Sequence, residues 1–119
     1  MKKILFVDDE VNLLDGLKRI FRKKKDEWEM TFLADGRKAL DYMEKNSMDI
    51  IITDYKMPGM NGLELLAIVK EKHPEIKRVI LSGQSEAEIF DKALQLAHKY
   101  LSKPCDPEEL IKFIDARPA

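Results

Sequence analysis

Cysteine, glycine and proline are all scarce in the 119 residues, at one, five and five respectively, and no long apolar run occurs. Cys105 alone cannot close an intrachain disulfide; with no signal peptide in view, it points to a reducing compartment. The opening Met1-Lys2-Lys3-Ile4-Leu5-Phe6-Val7 imitates a secretory leader, but Asp8-Asp9-Glu10 ends its apolar part too early for one. Nothing approaches the roughly 20 apolar residues of a membrane-spanning helix. No membrane contact is therefore expected, and a cytoplasmic location is. Neither sign of charge is in excess, since 21 Lys and Arg stand against 22 Asp and Glu. Direct nucleic-acid binding by this segment is not expected, because neutralising phosphates takes a basic surplus. What remains is 45% hydrophobic and 36% charged. The length suits a single domain over residues 1–119, able to bury a core without a disulfide or metal staple.

Three short apolar runs, Ile4-Leu5-Phe6-Val7, Ile50-Ile51-Ile52 and Val79-Ile80-Leu81, read as strands buried on both faces. Met30-Thr31-Phe32-Leu33 and Tyr100-Leu101 are weaker and suit edge strands. Helical spacing fills the gaps. Leu13, Leu17, Ile20 and Phe21 form one apolar face, Ala39, Leu40 and Met43 a second, and Leu65, Leu66 and Val69 a third. Ile89, Phe90, Ala93 and Leu96 follow a Ser85–Glu88 capping box. The last helix opens on Asp106 as N-cap with Pro107 at its first position, and carries Leu110, Ile111 and Ile114. Five such βα units predict a parallel sheet with helices on both faces. The basic run Arg22-Lys23-Lys24-Lys25 reads as a solvated helix end.

In open α/β sheets the chemistry sits beyond the carboxyl ends of the strands. The first strand ends in Asp8-Asp9, with Glu10 beyond. The third ends in Thr53-Asp54, the fourth in Ser82-Gly83 and the fifth in Ser102-Lys103-Pro104. Carboxylates, a hydroxyl and an ammonium thus converge on one rim. Ionised Asp8, Asp9 and Asp54 overload it with negative charge, which Lys103 offsets only in part. A hard divalent cation balances the rest, and few oxygen ligands favour Mg²⁺, with Mn²⁺ as a substitute. Asp54 can then act as a carboxylate nucleophile toward phosphorus, with Lys103 and the Ser82 hydroxyl binding phosphoryl oxygens.

Four pieces in this order, Ile4-Leu5-Phe6-Val7-Asp8-Asp9-Glu10, Asp54-Tyr55-Lys56-Met57-Pro58-Gly59-Met60-Asn61-Gly62, Ser82-Gly83 and Tyr100-Leu101-Ser102-Lys103-Pro104, resemble the response-regulator receiver domains of two-component signalling, chemotaxis-regulator-like in type. The resemblance implies a flavodoxin-like doubly wound (βα)5 three-layer sandwich with parallel sheet order 2-1-3-4-5. It implies Asp54 as phosphoacceptor and metal ligand, Asp9 as a direct Mg²⁺ ligand, Asp8 as a ligand through water and Lys56 as donor of a backbone carbonyl. Lys103 would bridge the acidic site and the phosphate, Ser82 and Tyr100 would form the switch pair, and the Lys103–Pro104 bond would be cis. Lys56 and Gln84 would tune dephosphorylation. The implied partner is a sensor histidine kinase or phosphotransfer protein. A homodimer through the fourth helix, fifth strand and fifth helix is a further implied arrangement. Such a domain catalyses only its own phosphorylation and dephosphorylation and is not otherwise an enzyme. No output segment follows Ala119, which leaves a stand-alone receiver or a piece of a longer protein as the two expectations.

Other readings fit less well. A phosphatase resembling the haloacid dehalogenase group needs an acid two residues after its nucleophile, where this chain has Lys56. A nucleotide or flavin binder would cradle phosphate after the first strand, but Asp8-Asp9-Glu10 repels it and no glycine-rich phosphate motif occurs. A degenerate receiver would have lost one of the acidic, hydroxyl or Lys positions. Met57 and Met60 read as loop packing because thioethers are too soft for Mg²⁺. Cys105 reads as a bystander, and His73 and His98 as surface residues.

Overall fold

A computed structural model describes residues 1–83, 89–103 and 106–116. Its elements alternate as predicted. They are β1 (Lys2–Val7), α1 (Val11–Ile20), a 3₁₀ turn (Phe21–Lys24), β2 (Trp28–Leu33), α2 (Gly36–Lys45), β3 (Ile50–Asp54), α3 (Gly62–Lys72), β4 (Lys77–Ser82), α4 (Phe90–Leu96), β5 (Lys99–Ser102) and α5 (Pro107–Asp115). All neighbouring strand pairs are parallel and the order is β2-β1-β3-β4-β5. This is the flavodoxin-like arrangement, with β2 and β5 at the edges.

The two faces of the sheet follow from the period of two along each strand. Leu5, Val7, Ile51 and Ile80 point to one side, where Ala39 and Met43 of α2, Leu65, Leu66 and Val69 of α3 and Ala93 of α4 cover them. Ile4, Phe6, Ile52, Val79 and Leu81 point to the other, under Leu14 of α1 and Leu110, Ile111 and Ile114 of α5. A fully buried Leu or Ile of this kind stabilises the fold by about 1.5–3 kcal/mol. Side-chain caps fix where three helices begin. Asp35 accepts from the Lys38 N–H at 2.8 Å, Asp106 from the Glu108 N–H at 3.0 Å, and Asn61 and Glu64 form a reciprocal capping box.

Local readings shift in several places. In α1 the buried residue is Leu14, while Leu13 and Ile20 remain 42% and 46% exposed and line an apolar groove that reaches Lys103. The basic run is only partly solvated, since Lys24 reaches Asp115 at 2.8 Å and Glu27 at 3.3 Å. His98 is exposed yet structural, because its Nδ1 accepts the Arg78 N–H at 3.0 Å. Met57 is buried and Met60 packs against the core, as loop-packing residues should. The Ser85–Glu88 box, Gln84, Cys105 and the cis Lys103–Pro104 bond lie outside the described residues.

Candidate functional site

The carboxyl ends of β1, β3, β4 and β5 meet at one rim because the strands are in parallel register. Val7 pairs with Thr53, Asp54 with Leu81 and Ser82 with Ser102. Asp8 and Asp54 are almost fully buried there, and Ser82 entirely so. The Lys103 N–H donates to the Ser82 carbonyl at 2.8 Å, which aims the residue after β5 back across the rim. Its ammonium lies 3.0 Å from Asp54 Oδ1 and 3.3 Å from Asp8 Oδ2. The other Asp8 oxygen accepts the Glu10 N–H at 2.9 Å.

Burial first, and then the neighbouring charges, shift the proton affinity of this pair. Burial raises the Asp54 pKa above the usual carboxylate value; the Lys103 hydrogen bond pulls it back, and the Asp8 charge raises it further. Burial works against the Lys103 ammonium, but Asp54 and Asp8 overcome this and leave its pKa raised. Lys103 is therefore a fixed cation at neutral pH.

Among the described residues, Asp8, Glu10 and Asp54 each offer a carboxylate oxygen, and these oxygens all lie within 4.8 Å of one another. Glu10 is the N-cap residue of α1, but its side chain makes no cap hydrogen bond. Sequence reading placed Glu10 only beyond the rim; the signal was the third acid of Asp8-Asp9-Glu10. Asp9 and Lys56 border the same cleft of about 610 Å³ as Asp54 and Glu10. Three carboxylates against one ammonium leave a surplus of negative charge on hard oxygen donors. That donor set fits a magnesium-type divalent cation and gives a thiophilic metal nothing to hold.

Tyr100 lies half-buried on the edge strand β5, with its ring edge-on to Phe90 at 5.1 Å. Sequence reading joined Tyr100 to Ser82; the structure adds the aromatic partner.

The model of the response regulator receiver domain family matches residues 4–115. The chain belongs to that family. Receiver domains bind Mg²⁺ through an acidic cluster, and Asp8, Glu10 and Asp54 form such a group here. Among its relatives is sporulation initiation phosphotransferase F of Bacillus subtilis, 33% identical over 92% of this chain and 87% of that one. The uncharacterized transcriptional regulatory protein YesN of the same species is 36% identical over 97% of this chain but only 32% of its own length. The hydrogenase transcriptional regulatory protein HoxA of Cupriavidus necator is matched over 22% of its length. The receiver thus spans a third or less of these two regulators. Its fold superposes on a CheY-like receiver domain from Methanospirillum hungatei with a TM-score of 0.86, at 30% identity and 96% and 90% coverage. A Clostridium thermocellum receiver domain gives the same TM-score at 29% identity, over 97% and 92% of the two chains. No described helix is long and apolar enough to cross a membrane.

Proposed function

We propose that residues 1–119 form one cytoplasmic receiver domain, switched by transfer of a phosphoryl group onto Asp54 from a phosphohistidine of a sensor histidine kinase or phosphotransfer protein. The observation that carries this reading is the Asp54 carboxylate, buried at the end of β3 yet bordering an open cleft and held 3.0 Å from Lys103. Buried charge tied to a cation is costly unless it serves something, and perturbed carboxylates in clefts mark functional sites.

The step balances simply. A lone pair of the Asp54 carboxylate forms a bond to phosphorus, the P–N bond to the donor imidazole breaks, and that nitrogen keeps the electron pair and takes a proton from water. Lys103 already stands where charge spreads over the phosphoryl oxygens, and the Ser82 hydroxyl ends the neighbouring strand as a neutral donor. Mg²⁺, or Mn²⁺ in its place, supplies positive charge against the phosphoryl oxygens when bound. Asp9 and Asp54 would hold it directly, Asp8 through water, and Lys56 through its backbone carbonyl. Reversal needs only water, which attacks phosphorus while the bond to Asp54 breaks. The domain catalyses no other reaction.

The output leaves from the face made by α4, β5 and α5. A phosphoryl group adds about −1.5 to −2 in charge and three acceptors, enough to draw the Ser82 hydroxyl toward it. Tyr100 then turns inward and leaves Phe90, so the face is a two-state surface whose balance the phosphate shifts. A partner, an output domain or a second receiver copy reads that face.

The test is intact mass after incubation with phosphoramidate, whose P–N bond resembles that of phosphohistidine. Mg²⁺ should yield one added phosphoryl group, and a chelator should remove the labelling. Equal labelling of Asp54→Asn would overturn the proposal.

A further inference from the structure

Glycine at the start of α3 needs a reason, since it is a poor helix former and its φ there is not left-handed. The reason is space. A Cβ on Gly62 would lie 2.3 Å from the Asp54 carbonyl oxygen, 2.9 Å from the Tyr55 Cα and 3.1 Å from the Asp54 carbonyl carbon. All three are backbone atoms, so no flexible side-chain tip can swing away. The Gly62 N–H also donates to the Tyr55 carbonyl at 2.7 Å. The first turn of α3 is thus seated directly on the peptide that carries the phosphoacceptor.

Neither side can retreat easily. Asp54 is paired with Leu81 of β4, and the Tyr55 N–H is bonded to the Leu81 carbonyl at 2.9 Å. The Thr53 hydroxyl donates to the Asp54 carbonyl at 3.0 Å. On the helix side, the Asn61–Glu64 capping box fixes the first turn, and Leu65, Leu66 and Val69 are wholly buried just behind it. Close-packed interiors transmit such a displacement rather than absorb it. A methyl group here would rotate or push the Asp54–Tyr55 peptide, and the Asp54 carboxylate would leave its 3.0 Å contact with Lys103.

We propose that Gly62 is a positioning residue for phosphorylation, its bare Cα fixing the Asp54 peptide against Lys103. This rests on Asp54 being the phosphoacceptor. Misplacement of a reacting group by about 1 Å can cost about 10²-fold in rate, so even a partial shift should be visible.

The experiment compares wild type, Gly62→Ala, Gly16→Ala and the double variant. Gly16 is the control, because a Cβ there meets nothing within 4 Å. Alanine is also the better helix former, so Gly16→Ala offsets stability lost at position 62. Two quantities are read below the melting temperature of every variant. One is the rate of labelling by phosphoramidate with Mg²⁺, per folded molecule. The other is the Asp54 ¹³Cγ and Tyr55 amide chemical shifts, without donor or Mg²⁺. Gly62→Ala should label about tenfold or more slowly in both backgrounds, with both shifts displaced, while Gly16→Ala matches wild type. A Gly62→Ala protein that melts lower but labels at the wild-type rate with unmoved shifts would overturn the assignment. So would one that fails to fold in both backgrounds, because the contact would then be structural alone. If wild type does not label at Asp54, the phosphoacceptor reading fails by itself, and the shifts, which need no donor, still decide whether Gly62 fixes the Asp54 peptide.

Discussion

Lys103, just after β5, and Asp54, at the end of β3, meet at 3.0 Å although β4 lies between those strands. The ammonium spans β4 because the Lys103 N–H is bonded to the Ser82 carbonyl, the last residue of that strand. One cation therefore gathers the ends of β1, β3 and β5, and the two carboxylates it holds crowd each other.

Burial of Asp54, reinforced by that crowding, sets the first prediction. The folded state raises the Asp54 pKa, so it binds a proton more readily than the unfolded chain. Stability then falls as pH rises from the ordinary carboxylate value through the raised one. Asp54→Asn removes the charge and should unfold at higher denaturant than wild type at pH 7, with the gap closing toward pH 4. A wild type more stable than the variant at pH 7 would contradict this.

His98 behaves in the opposite sense. Its Nδ1 accepts the Arg78 N–H, and partial desolvation of this otherwise exposed ring, together with the charges of Arg78, Lys77 and Lys70, lowers its pKa. The folded state favours neutral imidazole, so the contribution is present above about 6.5 and is lost as pH falls below it. His98→Asn keeps an acceptor that does not titrate. Melting temperatures at pH 7.5 and 5.5 should converge in that variant relative to wild type; an unchanged difference would assign the pH effect elsewhere.

Arg78 illustrates what sequence could and could not show. β1, β3 and β4 were legible because strands buried on both faces become continuous apolar runs. Arg78 sits at the head of one such run, where the local pattern marks only a charge. It is nevertheless buried, its guanidinium bonded to the carbonyls of Leu96, Pro74 and Ile76, which no local pattern encodes. β2 begins at Trp28, earlier than its apolar run, because the Trp28 indole is bonded to Asp115 from the far end of the chain. Leu13 and Leu14 are adjacent in sequence; helical spacing places Leu13 on the apolar face, whereas Leu14 is the one that faces the core. The rim was more legible, since each functional group directly follows an apolar run. Glu10 was not, because its place beside Asp8 and Asp54 depends on how α1 begins. The Asn61–Glu64 capping box is encoded locally as Asn-x-x-Glu.

Magnesium should depend more on Asp9 than on Asp8. Both Asp8 oxygens are already engaged, by Lys103 and by the Glu10 N–H. Calorimetric titration should show Asp9→Asn weakening Mg²⁺ binding more than Asp8→Asn, and the reverse order would refute the ligand assignment. Fluorescence is the poorer probe. Trp28 begins β2, at the opposite end of a strand about 17 Å long from the rim.

Long-range switching should appear in amide shifts. With a beryllofluoride phosphoryl mimic and Mg²⁺, wild type should shift both at the rim and around Phe90, Tyr100 and Lys112. Ser82→Ala should keep the rim shifts and lose the distant ones. Shifts confined to the rim in wild type would leave Tyr100 with a packing role alone.

The most direct measurement is the identity of the phosphorylated residue. The acyl phosphate is trapped by borohydride reduction after labelling with phosphoramidate and Mg²⁺, and the digested protein is sequenced by mass spectrometry. The reduced product should fall on Asp54 and on no other residue. Modification at Asp8, Asp9 or Glu10 with Asp54 untouched would contradict the assignment of Asp54 as the phosphoacceptor.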